Sequence, residues 1–316
     1  MDAPEISVVM PVYNPGEIVG ESIESVLDQT FEDFEYIIVD DGSTDAETKK
    51  ILAGQSDPRV RVIRQANGGV AAARNRGIAE SRGRYIAFLD HDDIFMPDKL
   101  FCLKALLDHD PAAALVYSPV EPFGKYAARA LVLVPLSGWS YCQLLRQNRI
   151  YSMSCVMVRA ELLRRHRIHF DPACVPCDDW DFHLHCAMYG TIRMWETPLV
   201  RYRMHDGNQS ADQAVMYRAG TRVVLKHLRN ISRTAEITGL SKWRIFSTGR
   251  SALAEHHYGL AYQEFSGRRF KSALGNCVRA FLYNPFSWKA VLFAWKKICA
   301  PLRGKSVTDG SPGRRC

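Results

Sequence analysis

The sequence of 316 residues has no apolar run near the roughly 18 residues that a membrane span requires, which argues against an integral membrane protein. Its opening residues, MDAPEISVVM, carry acids and no basic stretch ahead of an apolar one, so neither a signal peptide nor an anchor is expected. The nine cysteines sit at irregular spacings with no framework pattern, which excludes a disulfide scaffold and fits reduced thiols in the cytoplasm. No internal repeat is present. Acids are almost missing from residues 268 to 316, where eleven Lys or Arg meet only Asp309. That end accounts for the net charge of +7 and suits an anionic surface.

What is present is a sizeable core: 47% of the residues are hydrophobic. Short β-branched runs recur at 6–10, 36–39, 60–63, 85–89 and 114–117, with helical patterns between them. Val19, Ile23, Val26 and Leu27 share one helical face, and Leu100, Leu103, Leu106 and Leu107 share another. The rhythm predicts an α/β fold, a doubly wound and mostly parallel sheet over residues 1–118. A less regular half follows over 119–215, with a strand at 154–158 and a helix from Asp178 to Tyr189. Residues 216–303 read as a helical extension and 304–316 as a disordered tail.

Doubly wound sheets bind ligands at the carboxyl ends of their strands. After the first run come Pro11, Val12 and Tyr13, a loop because proline lacks the ladder donor. After the second comes Asp40, a carboxylate able to accept from a pyrimidine ring N–H, while Ser43 and Thr44 suit helix capping. After the third, Asn67, Gly68 and Gly69 open a helix whose N–H groups could approach a phosphate, with Arg74 one turn on. After the fourth stand Asp90, His91, Asp92 and Asp93. Three carboxylates in four residues need a counter-charge, for which Mg²⁺ or Mn²⁺ is the candidate, and His91 is expected to pack. Asp178 and Asp179 open a later helix, where acids favour the dipole without excluding a catalytic role for Asp179. Cys174, Cys177, His183 and His185 offer a zinc set, but histidines two apart diverge on a helix and free thiols are the simpler reading.

Six segments, SVVMPVYNPGE, SVLDQTFEDFEYIIVDDGSTD, RQANGGVAAARNRGI, GRYIAFLDHDDIFMPDKL, CDDWDFHLHCAMYG and YRMHDGNQS, occur in this order. Over about residues 5–212 the chain resembles family 2 glycosyltransferases of the GT-A fold. The resemblance implies that Pro11, Val12, Tyr13 and Asp40 hold the base of a nucleotide sugar with Arg74 nearby, and that Asp90 holds its ribose. It implies that Asp92 is the acid of a DxD motif on a metal bridging the diphosphate, with His205 a further ligand. Asp179 would be the catalytic base of an inverting transfer; the acid before it, often Glu in the family, is here Asp178. It further implies a nucleotide-sugar donor, a glycan or lipid-linked hydroxyl acceptor, surface polysaccharide or glycoconjugate synthesis, and no nucleic acid partner; a UDP- or dTDP-sugar is expected because the Asp40 carboxylate suits the ring N–H of uracil or thymine, although guanine also offers such a group.

No QxxRW motif appears, so a single sugar transfer is expected rather than processive synthesis. A sugar-nucleotide nucleotidyltransferase would show a glycine-rich basic loop where VYNPGE stands, and an inactive nucleotide-sugar-binding protein would not need Asp92 and Asp179. Phe270, Leu274, Val278, Phe281 and Leu282 share one helical face, which fits either a core face or peripheral membrane contact through 268–303 at the inner face of the cytoplasmic membrane.

Overall fold

The structure, a computed structural model, describes residues 3–126, 135–136, 140–207, 212–285 and 293. The expected tail at 304–316 and the Asn208–Ser210 end of the last motif lie outside the described residues.

The first half alternates as its hydrophobic rhythm predicts: β1 (Ile6–Val12), α1 (Ile18–Leu27), β2 (Phe34–Asp40), α2 (Ala46–Ala53), β3 (Val60–Arg64), α3 (Val70–Glu80) and β4 (Tyr85–Phe88). Then follow β5 (Ile94–Phe95), α4 (Lys99–His109), β6 (Ala113–Tyr117), β7 (Val120–Gly124), α5 (Tyr141–Arg146), β8 (Val156–Arg159), α6 (Ala160–His166), α7 (Asp178–Tyr189), β9 (Thr191–Met194) and β10 (Val200–Met204). Helices α8 (Gln213–Arg229), α9 (Ile231–Thr238), α10 (Lys242–Ser266) and α11 (Phe270–Tyr283) form the extension.

The main sheet runs β3-β2-β1-β4-β8-β6-β9, with β8 antiparallel to both neighbours and the remaining pairs parallel. Every residue of β1 and β2 is buried, as a parallel sheet covered by helices on both faces requires. Register aligns the strand tips: Val12 faces Asp40, and Asp40 faces Arg64. A second sheet runs β5-β10-β7, with β10 antiparallel to β5 and parallel to β7. Helix α3 packs onto β1 so closely that a Cβ on Gly77 would lie 2.2 Å from Val9 Cγ1, and only glycine allows that approach.

Two expectations change in detail. Residues 153–155 form a 3₁₀ turn, and the strand expected at 154–158 occupies 156–159. Pro11 lies inside β1 rather than in a loop. Val9 O accepts from Leu89 N on the β4 side and Val12 O from Asp41 N on the β2 side. By alternation Pro11 faces β4 where that ladder has already ended at Val9 and Phe88, so its missing N–H breaks nothing.

In α11 the expected apolar face turns outward. Ala273, Cys277 and Ala280 are buried, whereas Phe270, Leu274, Val278, Phe281 and Leu282 are 39–64% exposed. Small residues let α11 approach α10 closely, and this excludes the reading in which the large residues form its core face.

Candidate active site

The carboxyl edge of β1, β2, β3 and β4 meets the N-terminus of α7. Val12 ends β1 buried and Tyr13 extends outward, 47% exposed. Asp40 is buried, accepts from Ser43 N at 2.8 Å and pairs with Arg64 at 3.1 Å. Arg64 carries no motif, and only the strand register reveals it. Its neighbour Asp41 accepts from the N–H groups of Gly68 (2.9 Å) and Gly69 (2.8 Å) and from Gln65 Nε2 (2.8 Å). The two glycine donors that sequence reading offers to a phosphate are therefore spent on Asp41, and Asn67 stands exposed beside them.

The acids after β4 divide by environment. Asp93 is fully buried and accepts from Ser154 Oγ (2.5 Å), Ser152 Oγ (3.3 Å) and Arg203 N (3.0 Å). Burial and the neighbouring charges of Asp92 and Asp90 push its carboxyl well above the usual range, and its accepted hydrogen bonds tie the two sheets together. Asp90 turns to Arg74 (2.7 Å) and Ser152. His91 packs, with Nδ1 3.3 Å from Pro11 O. Asp92 faces the open side, where its Oδ2 lies 2.9 Å from His205 Nε2. Arg203 reinforces that corner, donating to Asp92 O (2.8 Å) and pairing with Glu21 (2.7 Å).

Arg74 is not a free cation beside a ligand. Only 8% of its side chain is exposed, and it bridges Asp90 and Asp178 (3.0 Å), joining the first half of the sheet to α7. Its guanidinium also lies 5.2 Å from the Phe170 ring, which stacks on Phe182. Asp179, the next residue, accepts from Trp180 N (2.6 Å) and, at 3.4 Å, from Asn148 Nδ2. Burial and the adjacent Asp178 charge push Asp179 up to about 7. Trp180 anchors this helix start by donating to Leu144 O at 2.7 Å. Sequence reading misses Asn148, because it stands in a loop without a motif.

Asp90, Asp178 and Asp179 thus gather around one buried guanidinium, and Asp92, two residues from Asp90, stands against His205. The residues fit a divalent ion. Oxygen and imidazole donors suit Mn²⁺ or Mg²⁺, and bonds of about 2.1 Å at a right angle put adjacent ligand atoms roughly 3 Å apart. Asp92 and His205 stand at that separation.

The alternative zinc set of Cys174, Cys177, His183 and His185 does not appear among the ligand groupings of the described residues. Cys174 and Cys177 are free, Cys177 Sγ lies 3.7 Å from Met216 O, and His183 is buried without a polar partner. Among the described residues the three-ligand groupings are Asp181–His185–His227 and Asp171–Cys174–Asp181. The ammonium of Lys226 already serves them as cation, 2.7 Å from both Asp171 and Asp181. Burial raises the Asp181 carboxyl, but the His227 hydrogen bond and the surrounding cations outweigh it and hold the group down at about 2. The cluster fastens α8 to α7.

This architecture is that of a GT-A glycosyltransferase. S. aureus TarS 1–349 in complex with UDP-GlcNAc has the same fold, with a TM-score of 0.61 at 17% identity over 81% of each chain. So does the mannosyltransferase PcManGT from Pyrobaculum calidifontis in complex with GDP-Man and Mn²⁺, with a TM-score of 0.54 at 18% identity over 90% of this chain and 88% of that one. Residues 7–167 match the model for glycosyl transferase family 2, and the chain belongs to that family. An uncharacterized glycosyltransferase of Haemophilus influenzae is 28% identical over 222 residues, 66% of this chain and 68% of that protein. Matches to several longer relatives span only 13–21% of their length.

Removing the Arg74 guanidinium leaves Asp90 and Asp178 without their counter-charge. Arg74→Ala should lower unfolding stability by about 3–5 kcal/mol in urea titration, and Arg74→Lys should restore little, because an ammonium cannot fork to two carboxylates. Stability within experimental error of the parent in both variants would contradict the clamp.

Proposed function

We propose that the chain transfers one sugar from a nucleotide diphosphate donor to an acceptor hydroxyl with inversion. The observation that carries this reading is the position of Asp179. It is a carboxylate raised toward neutrality, held at the start of α7, across the Arg74 bridge from Asp90. A base with a pKa near the working pH keeps a substantial deprotonated fraction while still binding the transferred proton firmly.

In this reading Pro11, Val12, Tyr13 and Asp40 line the base, and Asp40, paired with Arg64 at 3.1 Å, accepts a ring N–H of uracil or thymine. UDP- or dTDP-sugars are therefore favoured over GDP-sugars. Asn67 borders the donor loop and Asp90 faces the ribose. Asp92 and His205 hold Mn²⁺ or Mg²⁺, which when bound neutralises the charge that develops on the departing diphosphate. The acceptor oxygen attacks the anomeric carbon as the bond to the diphosphate oxygen breaks, and the hydroxyl proton passes to Asp179. Asn148, at 3.4 Å, steadies the carboxylate.

The acceptor would be a glycan or lipid-linked hydroxyl in surface polysaccharide or glycoconjugate synthesis. Among the described residues no helix is long and apolar enough to cross a membrane. The outward face of α11 supports peripheral contact instead: Phe270, Leu274, Val278, Phe281 and Leu282 are exposed, and the helix carries Lys271 and Arg279 with no acid.

Two measurements test these assignments. Asp179→Asn should keep donor affinity while kcat falls by roughly 10²–10⁴. Because the base works deprotonated, transfer by the parent should rise with pH and level off above about 7. Near-parental turnover by Asp179→Asn with the true acceptor would sink the base. Separately, the full chain should float with anionic liposomes, and a Phe281→Ser/Leu282→Ser double variant should float less than the parent. Equal flotation would remove the membrane contact.

A further inference from the structure

Helices α8, α10 and α11 enclose an open cleft of about 410 Å³ that no step of the transfer uses. Its floor is buried His257, Leu260, Glu264 and Asn276, and exposed Arg218, Arg222 and Arg279 stand around it. The volume lies within the range of small-ligand sites, about 300–1,000 Å³. Its place in the fold is specific. Helix α8 meets α7 where Gly220 faces Trp180, and the Arg218–Arg222 turn of α8 lines the cleft.

The charges in this cleft do not balance. Glu264 is the acid among the lining residues, and it is engaged by Arg218 at 3.1 Å and by Arg269. Arg222 donates to the carbonyls of Val175 (2.8 Å) and Ala173 (3.3 Å), which orient the guanidinium without cancelling its charge. Arg279 has neither a hydrogen bond nor an ion pair among the described residues. Burial and the Arg279 charge lower the His257 pKa against the opposing hydrogen bond to Asn276, which lies at 3.1 Å. Residues 286–316 contain seven Lys or Arg and the single acid Asp309, so that segment is a poor source of the missing negative charge.

We infer that the cleft binds a phosphate-bearing small molecule, with Arg279 and Arg222 on the phosphoryl oxygens and Asn276 and the Ser272 hydroxyl completing the shell. Guanidinium groups suit this ligand because their planar donors match phosphate oxygens two at a time. A small phosphate ester fits better than a lipid surface, because the polar floor is recessed whereas the apolar residues of α11 point outward. The inference does not depend on the transfer reaction, since none of these residues belongs to the donor site.

Inorganic pyrophosphate titrated calorimetrically into the full-length Asp92→Ala chain, with chelator present, isolates this cleft from a cation-dependent donor site. The expected result is one saturable site that weakens with added salt. Arg279→Glu should weaken it by about tenfold or more, Arg279→Lys should weaken it less because the charge stays while the paired donors are lost, and neither should change the unfolding midpoint, because Arg279 is exposed and unpartnered. The inference is overturned by the absence of saturable binding, by unchanged affinity in Arg279→Glu, or by an Arg279→Glu effect on anionic vesicles alone. A chain that binds pyrophosphate here yet transfers no sugar would keep this site and remove the transferase reading.

Discussion

The guanidinium of Arg74 lies 2.7 Å from Asp90 and 3.0 Å from Asp178, in a position where 8% of its side chain meets solvent. Those carboxylates belong to different halves of the fold: Asp90 ends the β4 strand region and Asp178 opens α7. Desolvating one cation and two acids is costly, and the arrangement holds only because each charge faces its opposite at hydrogen-bonding distance. The geometry then does something packing alone could not. It fixes the start of α7, and with it Asp179, against the strand tips where a donor would lie.

Other constraints defend the same helix from its far side. Asp181, two residues beyond Asp179, is held by Lys226 and His227 of α8, and His227 in turn meets Tyr141 of α5 at 3.0 Å. Trp180 points between them to Leu144 O. Consecutive residues of one helical turn therefore have separate duties: Asp178 to the sheet, Asp179 to the open site, Trp180 and Asp181 to the helical layer. The extension is thus part of what orients the site as well as an addition to the sheet.

Much of this was legible in the sequence because burial on both faces writes itself as unbroken β-branched runs. The strand tips, and so Asp40, Asp90 and Asp92, follow from those runs, and α7 begins and ends where its pattern predicts. What was not legible depends on partners distant in the chain. Arg74 finds Asp178 across 104 residues, and nothing near either one announces the pair. Asp41 claims the Gly68 and Gly69 donors because the β2–β3 register brings the two loops together. The small β5-β10-β7 sheet escaped notice because β5 is two residues long. Amphipathic periodicity located the α11 helix but not the direction of its face, since small residues were the ones that packed.

Membership of the family supports the proposed sugar transfer, while the donor depends on side chains that its shared segments do not specify. In the proposed reading Asp92 and His205, 2.9 Å apart, would hold a divalent ion, and nucleotide-sugar binding should depend on it. The direct measurement is a calorimetric titration of UDP-, dTDP- and GDP-sugars into the full chain, with Mn²⁺ and with chelator, alongside Asp92→Ala. The account predicts Mn²⁺-dependent binding of a uridine or thymidine sugar that Asp92→Ala abolishes. Equal binding with and without the ion, or full affinity in Asp92→Ala, would contradict it.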